Sequence, residues 1–136
     1  VKADVFIIAV PTPFVKDASS IPKPNINYVI DAAKSIAKVL QKNNLIIIES
    51  TSPVGTTEKI GSLIAKETNL NFDDFNIAYC PERVLPGNII RELICNDRVV
   101  GGLTEAASNA SKDFYSSFCQ GKAFHQSFLS PSTKTM

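Results

Sequence analysis

The sequence predicts an α/β fold with a doubly wound parallel sheet. Short apolar runs recur along the chain, stretches of helical periodicity separate them, and the links between them are short. Runs that are apolar at every position are typical of strands buried on both faces of a parallel sheet. Strands that alternate with helices require right-handed crossovers, which place helices on both faces of the sheet.

Each predicted strand is an apolar run that ends at a polar or proline-containing loop, and each predicted helix has apolar residues three and four positions apart. The predicted parallel strands cover residues 4–10, 45–50, 76–80 and 98–101. The predicted helices cover residues 27–42, 56–68 and 104–118, with a short helix at 89–93 and a cap at Thr104. Residues 1–121 form the domain in this prediction, and residues 122–136 form a tail in which the periodicity fails.

The composition argues against several classes of partner and site. Lys and Arg number 14 and Asp and Glu number 13, so no bulk charge favours nucleic acid or an anionic membrane. No apolar run approaches the ~20 residues that a membrane-spanning helix needs. Cys80, Cys95, Cys119 and the single His125 have no zinc-ligand spacing, so we expect no metal site and a reduced, cytoplasmic chain.

Three loops follow predicted strands, at residues 11–13, 49–57 and 81–87. Ligands of such sheets bind outside the carboxyl ends of the strands, so we expect these loops to cluster at one edge. The second loop is rich in hydroxyl groups and leads into a helix N-terminus, which favours an anion. The alternative is that Ser52, Thr56 and Thr57 only cap that helix.

Three charged residues near the strand ends are candidates for chemistry. Glu82 can act as a base or orient a water molecule, or it can be a solvated loop residue paired with Arg83. Arg83 can clamp a phosphate or carboxylate group. Arg98 opens a predicted strand, where a charge either points into a site or pairs with Asp97.

The sequence contains no GxGxxG turn. A complete dinucleotide-binding fold carries this motif after its first strand, whereas a single-domain flavodoxin-like protein does not need it. The residues alone therefore leave both possibilities open.

Four stretches, taken together, resemble the UDP-glucose/GDP-mannose dehydrogenase family. They are ADVFIIAVPTPF (residues 3–14), ESTSPVGTTE (49–58), AYCPERVLPG (78–87) and NDRVVGG (96–102). The resemblance extends from Ala3 to about Gly121. It implies an N-terminal Rossmann domain, a central helical region and a C-terminal domain, with NAD used twice to convert a primary alcohol into a carboxylate. The sheet of this chain would then be Rossmann-like and incomplete, and it would form the second part of the dinucleotide-binding domain.

The resemblance also implies roles for individual residues. The residues that would bind NAD are Val10, Pro11, Thr12, Ser50 and Thr51. Ser50 and Thr51 would approach the nicotinamide end and an active-site water, which makes Thr51 a catalytic candidate beside Glu82. Glu82 matches a family glutamate that helps water attack a thioester intermediate.

The same loop carries the expected substrate contacts, which by resemblance are Glu82, Arg83, Val84 and Leu85. Members that act on UDP-glucose usually carry a second glutamate just before the glycine that corresponds to Gly87. Pro86 occupies that position, as in the N-acetylhexosamine branch. The expected substrate is therefore UDP-N-acetylmannosamine or UDP-N-acetylglucosamine.

The family's glycine-rich turn would lie before Val1, and its catalytic cysteine would lie after Met136, beyond a tail that leads toward the central helix. None of the cysteines present lies in the motif of that nucleophile. We therefore expect a fragment that is inactive alone and that forms a homo-oligomer, because missing strands would leave an edge uncovered. The rival hypothesis is a non-catalytic, stand-alone α/β binding or interaction module.

Overall fold

The computed structural model describes residues 1–15 and 22–125 and contains a five-stranded sheet with helices on both faces. The strands are β1 (Val5–Ile8), β2 (Phe14–Val15), β3 (Lys23–Pro24), β4 (Leu45–Ile48), β5 (Asn76–Tyr79), β6 (Arg98–Gly102) and β7 (Ala123–His125). The helices are α1 (Asn27–Ala37), α2 (Thr56–Thr68), α3 (Ile89–Cys95) and α4 (Glu105–Ser116), with a 3-10 helix at Phe72–Asp74. The predicted α/β class is confirmed.

The main sheet has the strand order β1-β4-β5-β6-β7. β1, β4 and β5 are parallel neighbours, as predicted, because α1 and α2 return the chain to the same end of the sheet. α4 likewise connects β6 to β7 as a parallel pair.

The predicted parallel direction of the strand at residues 98–101 is wrong, since β6 runs antiparallel to β5. The reason lies in the link between the two strands. Its helix, α3, stays at one end of the sheet, where the Ile94 carbonyl accepts a hydrogen bond from Gln120 N at 2.6 Å. β6 therefore starts near the end of β5 and has to run back.

Two apolar cores enclose the sheet. α1 and α2 cover one face, where Ile46, Ile48 and Ile77 meet Val29 and Ile60. α4 covers the other face over a core formed by Leu45, Ile47, Cys80, Val100 and Tyr115. β4 lies in the middle, and all four of its side chains are buried.

β1 is less buried than the sequence predicts. It is the last strand on its side of the described sheet, and the Ile7 side chain is 45% exposed while Ile8 is 1% exposed. The residues of α4 pack toward β4 to β7 rather than over this edge. One face of β1 is therefore covered, and the other is covered only at Val5, which packs against the core under α4, while Ile7 stays exposed.

The predicted bounds of α2 are confirmed, and α4 begins after Thr104, whose Oγ1 accepts a hydrogen bond from Ala107 N at 3.1 Å. α1 ends at Ala37 rather than near residue 42, because the chain tightens into a turn in which Val39 N donates to the Ile36 carbonyl.

β2 and β3 form a small antiparallel pair in a segment where the sequence predicts no strand. The residues between them, 16–21, lie outside the described part, as does the end of the predicted tail, residues 126–136. Across the described residues, no helix has both the length and the apolar character to cross a bilayer.

Candidate functional site at the carboxyl edge of the sheet

The loops after β1, β4 and β5 lie at the same edge of the sheet, because these three strands are parallel neighbours. We call this the carboxyl edge and define it by residues 9–13, 49–55 and 80–88. The antiparallel direction of β6 brings the first residue of that strand, Arg98, to the same edge. A parallel β6 would have placed Arg98 at the opposite end.

Ser50 ties the first two loops together. Its hydroxyl accepts a hydrogen bond from Val10 N at 2.7 Å and donates one to the Ile8 carbonyl at 3.3 Å. The residue is 6% exposed, so this hydroxyl is used inside the protein. The exposed neighbours are Pro11 and Thr51, and Thr12 is half-buried.

The start of α2 does not follow the capping alternative. The residue before the helix is Gly55, in the left-handed region at φ 88°, and no side chain of the described chain caps this end. Thr56 Oγ1 donates to the Pro53 carbonyl at 2.7 Å, and Ser52 Oγ donates to the Ser50 carbonyl at 2.9 Å. These hydroxyl groups brace the loop instead of occupying the N–H groups of the first helical turn.

Glu82 lies exposed in the third loop and is held by that loop's backbone. Its Oε1 accepts hydrogen bonds from Arg83 N at 2.7 Å and from Val84 N at 2.9 Å. Glu92 on α3 supports the same loop, since its Oε2 accepts from Leu85 N at 2.7 Å. The Glu82 carboxylate is therefore solvent-accessible, yet fixed in direction.

A shallow pocket lies between this loop and the segment from α3 to β6. Three residues with carboxylates and two with guanidinium groups line it, namely Glu82, Glu92, Asp97, Arg83 and Arg98. Val84 also lines it, whereas Leu85 is 68% exposed beside it. Glu82, Arg83 and Val84 thus share one pocket. Val10 and Ser50 are joined by a hydrogen bond between the other two loops of the carboxyl edge.

Behind the loops lies a buried polar cluster that the sequence did not predict. Arg98 is 6% exposed, and its Nη1 lies 3.7 Å from Glu49 Oε1. Tyr115 donates its hydroxyl to the same Glu49 oxygen at 2.5 Å, and its ring lies 4.6 Å from the Arg98 guanidinium carbon. The sequence left open whether Arg98 points into a site or pairs with Asp97. Arg98 lines the pocket and forms its ion pair with Glu49, while Asp97 accepts a hydrogen bond from Lys122 N.

Burial sets the protonation of this cluster. It raises the pKa of Tyr115 far above its ordinary value, and the hydrogen bond to Glu49 raises it further, so the phenol stays protonated. Burial likewise raises the pKa of the Cys80 thiol, an effect that contacts with Tyr115 and Arg98 only partly offset. Cys80 therefore behaves as a small apolar core residue rather than a nucleophile.

Sequence reasoning had no means of pairing Glu49 with Tyr115, which is 66 positions away. The one available signal was a carboxylate placed directly after a fully apolar strand, since such a group needs a partner if it is buried. Within the described residues, no group of three or more potential ligands could hold a metal ion.

Comparisons of this chain with known protein families, sequences and structures agree with this geometry. A family model described as the NAD binding domain of the UDP-glucose/GDP-mannose dehydrogenase family matches residues 1–119. A UDP-N-acetyl-D-mannosamine dehydrogenase from Campylobacter jejuni is 50% identical over 129 residues, which are 89% of this chain and 31% of that protein. An NDP-N-acetyl-D-galactosaminuronic acid dehydrogenase from Ralstonia solanacearum is 44% identical over 128 residues, 88% of this chain and 29% of that protein.

A solved UDP-D-ManNAc dehydrogenase from Pyrococcus horikoshii superposes with a TM-score of 0.85 and 41% sequence identity, covering 92% of this chain and 29% of the other. The chain thus spans about 30% of the length of the relatives it matches. The matched region is an NAD-binding domain of the Rossmann type, and NAD is its cofactor. Since the family model covers most of the sequence, the chain belongs to the UDP-glucose/GDP-mannose dehydrogenase family.

Proposed function

We propose that the chain forms the nicotinamide-proximal part of an NAD-dependent UDP-N-acetylhexosamine 6-dehydrogenase, which oxidises UDP-N-acetylmannosamine or UDP-N-acetylglucosamine to the uronic acid. The observation that carries the proposal is the grouping of the family's motif loops at the carboxyl edge. There the fixed, exposed Glu82 lies one strand away from the loops that Ser50 joins. Relatives named as UDP-N-acetyl-D-mannosamine dehydrogenases support this substrate class.

The first two loops fit part of a bound NAD. The Ser50 hydroxyl keeps Val10 against the end of β4, so both loops offer one surface, open at Pro11 and Thr51. Dinucleotides lie across the carboxyl ends of parallel strands, where backbone groups and small side chains permit close approach. We therefore assign Val10, Pro11, Thr12, Ser50 and Thr51 to the cofactor. NAD, when bound, supplies the acceptor for the hydride that leaves the substrate.

Glu82 and Thr51 are the catalytic residues in this proposal. Of the two carboxylate oxygens of Glu82, only Oε1 accepts backbone hydrogen bonds in the described part of the chain. Oε2 is therefore free to orient and deprotonate a water molecule. Thr51 is exposed directly after Ser50, so its hydroxyl can hold a water on the cofactor side.

Glu82, Arg83, Val84 and Leu85 border the sugar nucleotide in this proposal. The exposed guanidinium of Arg83 provides paired donors that suit a phosphate. Pro86 cannot provide the second carboxylate of the UDP-glucose branch, which supports an N-acetylhexosamine as the sugar.

We further propose that the isolated chain does not catalyse the reaction. The sequence holds no GxGxxG turn, and its buried Cys80 has a raised pKa, which is unfavourable for a thiolate nucleophile. Removal of a covalent nucleophile costs several orders of magnitude in rate. The expected result is no NADH formation from UDP-N-acetylmannosamine and NAD by purified chain of confirmed mass. Steady turnover would contradict it.

The function is tested by Glu82→Gln in a full-length enzyme that contains this chain. The amide keeps the size of the side chain and loses the base, so hydrolysis of the thioester should slow by ~10²–10⁴ while the hydride transfers survive. The expected signature is a burst of NADH followed by a slow phase, with a thioester adduct detected by mass spectrometry.

Glu67→Gln is the matched control, because Glu67 is exposed on α2 and lies outside the carboxyl edge as defined above. This variant should turn over like the wild type. If Glu82→Gln also did so without an adduct, Glu82 would be only a solvated loop residue.

A further inference from the structure

The buried cluster behind the carboxyl edge contacts the supports of both proposed binding loops. Glu49 directly precedes Ser50 and Thr51 in the cofactor loop, residues 49–55. Its carboxylate accepts a hydrogen bond from the Tyr115 hydroxyl and forms an ion pair with the Arg98 guanidinium. Arg98 also lines the pocket that Glu82 and Arg83 border. The Arg98 side chain thus contacts Glu49 at the start of the cofactor loop and lines the pocket beside the loop that carries Glu82 and Arg83.

Two further donors of Arg98 contact α3 and the segment that follows α4. Its Nη2 donates to the Leu93 carbonyl on α3 at 3.2 Å, and its Nε donates to Cys119 Sγ at 3.4 Å. α3 in turn holds the substrate loop through Glu92, which accepts from Leu85 N. A rigid, planar group with several donors is needed to reach these partners at once, and a lysine ammonium does not have that geometry.

The structure assigns to Arg98 the role of a positioning residue that, together with Glu49, couples the cofactor loop at residues 49–55 to the substrate loop at 81–88. The roles of the two loops rest on the proposed function, whereas the mechanical coupling does not. Arg98 acts through Glu49 and α3 and is not a catalytic residue.

The interactions of Arg98 differ from those of a buried ion pair that only stabilises the fold, because they reach both loops. Arg98 interacts with Glu49 on one loop and through α3 with the other, so its loss should loosen both loops together. A purely local role would loosen only the start of β6 and its neighbour Cys119. Amide hydrogen exchange separates these cases because it reports local opening segment by segment.

The test is hydrogen exchange measured by mass spectrometry on the 136-residue chain, with Arg98→Lys as the first variant. We expect amide exchange to accelerate roughly tenfold in peptides from both loops, at 49–55 and 81–88, while the middle of α2 is unchanged. Arg91→Lys is the matched control, because Arg91 is exposed on α3, and it should change neither loop.

Glu49→Gln is the second variant and keeps the test decisive if Arg98→Lys does not fold. The amide keeps the shape of the side chain and removes the charge. It should also loosen both loops. Acceleration confined to β6, or to a single loop, in either folded variant would overturn the inference.

In a full-length enzyme, Arg98→Lys should lower kcat about tenfold with a burst of NADH. It should also raise the KM for the sugar nucleotide, because the loosened loop at 81–88 carries the proposed sugar-nucleotide contacts. A tenfold rise in KM with unchanged kcat would overturn the coupling to Glu82. Absence of turnover in the wild type would refute the proposed function alone, because the exchange experiment needs no activity.

Discussion

Tyr115 and Glu49 show how a single buried residue pair joins distant parts of this chain. Tyr115 is 1% exposed on α4, and its hydroxyl reaches a carboxylate at the end of β4. A buried carboxylate without donors would cost several kcal/mol, so the phenol and Arg98 together make its burial possible. The pair stabilises the contact of α4 with the sheet at the point where the site begins.

Tyr115→Phe should lower the free energy of unfolding by about 1–3 kcal/mol at pH 8, because Glu49 loses a buried donor. The raised pKa of Tyr115 also sets a pH dependence. Above ~pH 10 the unfolded chain releases the phenolic proton while the folded chain retains it, so this contribution to stability falls as the pH rises. The difference between wild type and variant should therefore shrink between pH 8 and about pH 11.

Urea unfolding at both pH values measures this difference. Tyr28→Phe is the control, since Tyr28 is 52% exposed and its loss should change the stability little at either pH. A gap between wild type and Tyr115→Phe that stays constant up to the higher pH would show that the folded-state pKa is not raised.

At the scale of the elements, local patterns predicted most of the secondary structure. Four adjacent apolar residues identify β4, and apolar residues at helical spacing identify α2. The direction of β6 was mispredicted, because it depends on where α3 packs, and no local pattern in the sequence encodes that position. The partner of Arg98 also depends on this packing. The sequence therefore located the loops of the site but left the partner of Arg98 open.

The end of β6 packs directly on the first turn of α4, and Gly102 makes this approach possible. A Cβ atom at this position would collide with Ser108 N and would lie 2.7 Å from the Thr104 carbonyl oxygen. Since both are backbone atoms, β6 and α4 would have to separate. Gly102→Ala should therefore cost roughly 1–3 kcal/mol or more in unfolding free energy, as over-packed substitutions do.

Gly87→Ala provides the comparison for Gly102→Ala. Gly87 has φ 117°, and no atom lies within 4 Å of the point that a Cβ would occupy, so only conformational strain of about 1 kcal/mol is expected there. Urea denaturation of both variants should show the larger loss for Gly102→Ala. An equal or smaller loss would mean that α4 shifts away from β6 at little cost.

At the scale of the whole molecule, the sheet ends on one side at β1. The parallel pairing with β4 uses one edge of β1, and no other strand of the described chain pairs with its second edge. Ile7 is 45% exposed beside this edge, in a strand whose pattern predicts burial on both faces. An uncovered edge with an apolar side chain is a template for pairing with another chain.

We therefore expect the isolated chain to self-associate through β1, with a weight-average mass that rises above the monomer as concentration increases. Ile7→Lys places a charge on the exposed face of the edge strand, which is a common way in which proteins prevent such pairing, and it should shift the population toward monomer. Val54→Lys is the matched control, because Val54 is 94% exposed in the loop before α2 and not in the edge strand, so it should leave association unchanged. Light scattering over a concentration series measures all three proteins. A wild-type chain that stays monomeric at the highest concentration would contradict association, and equal association of the wild type and Ile7→Lys would move the interface away from β1.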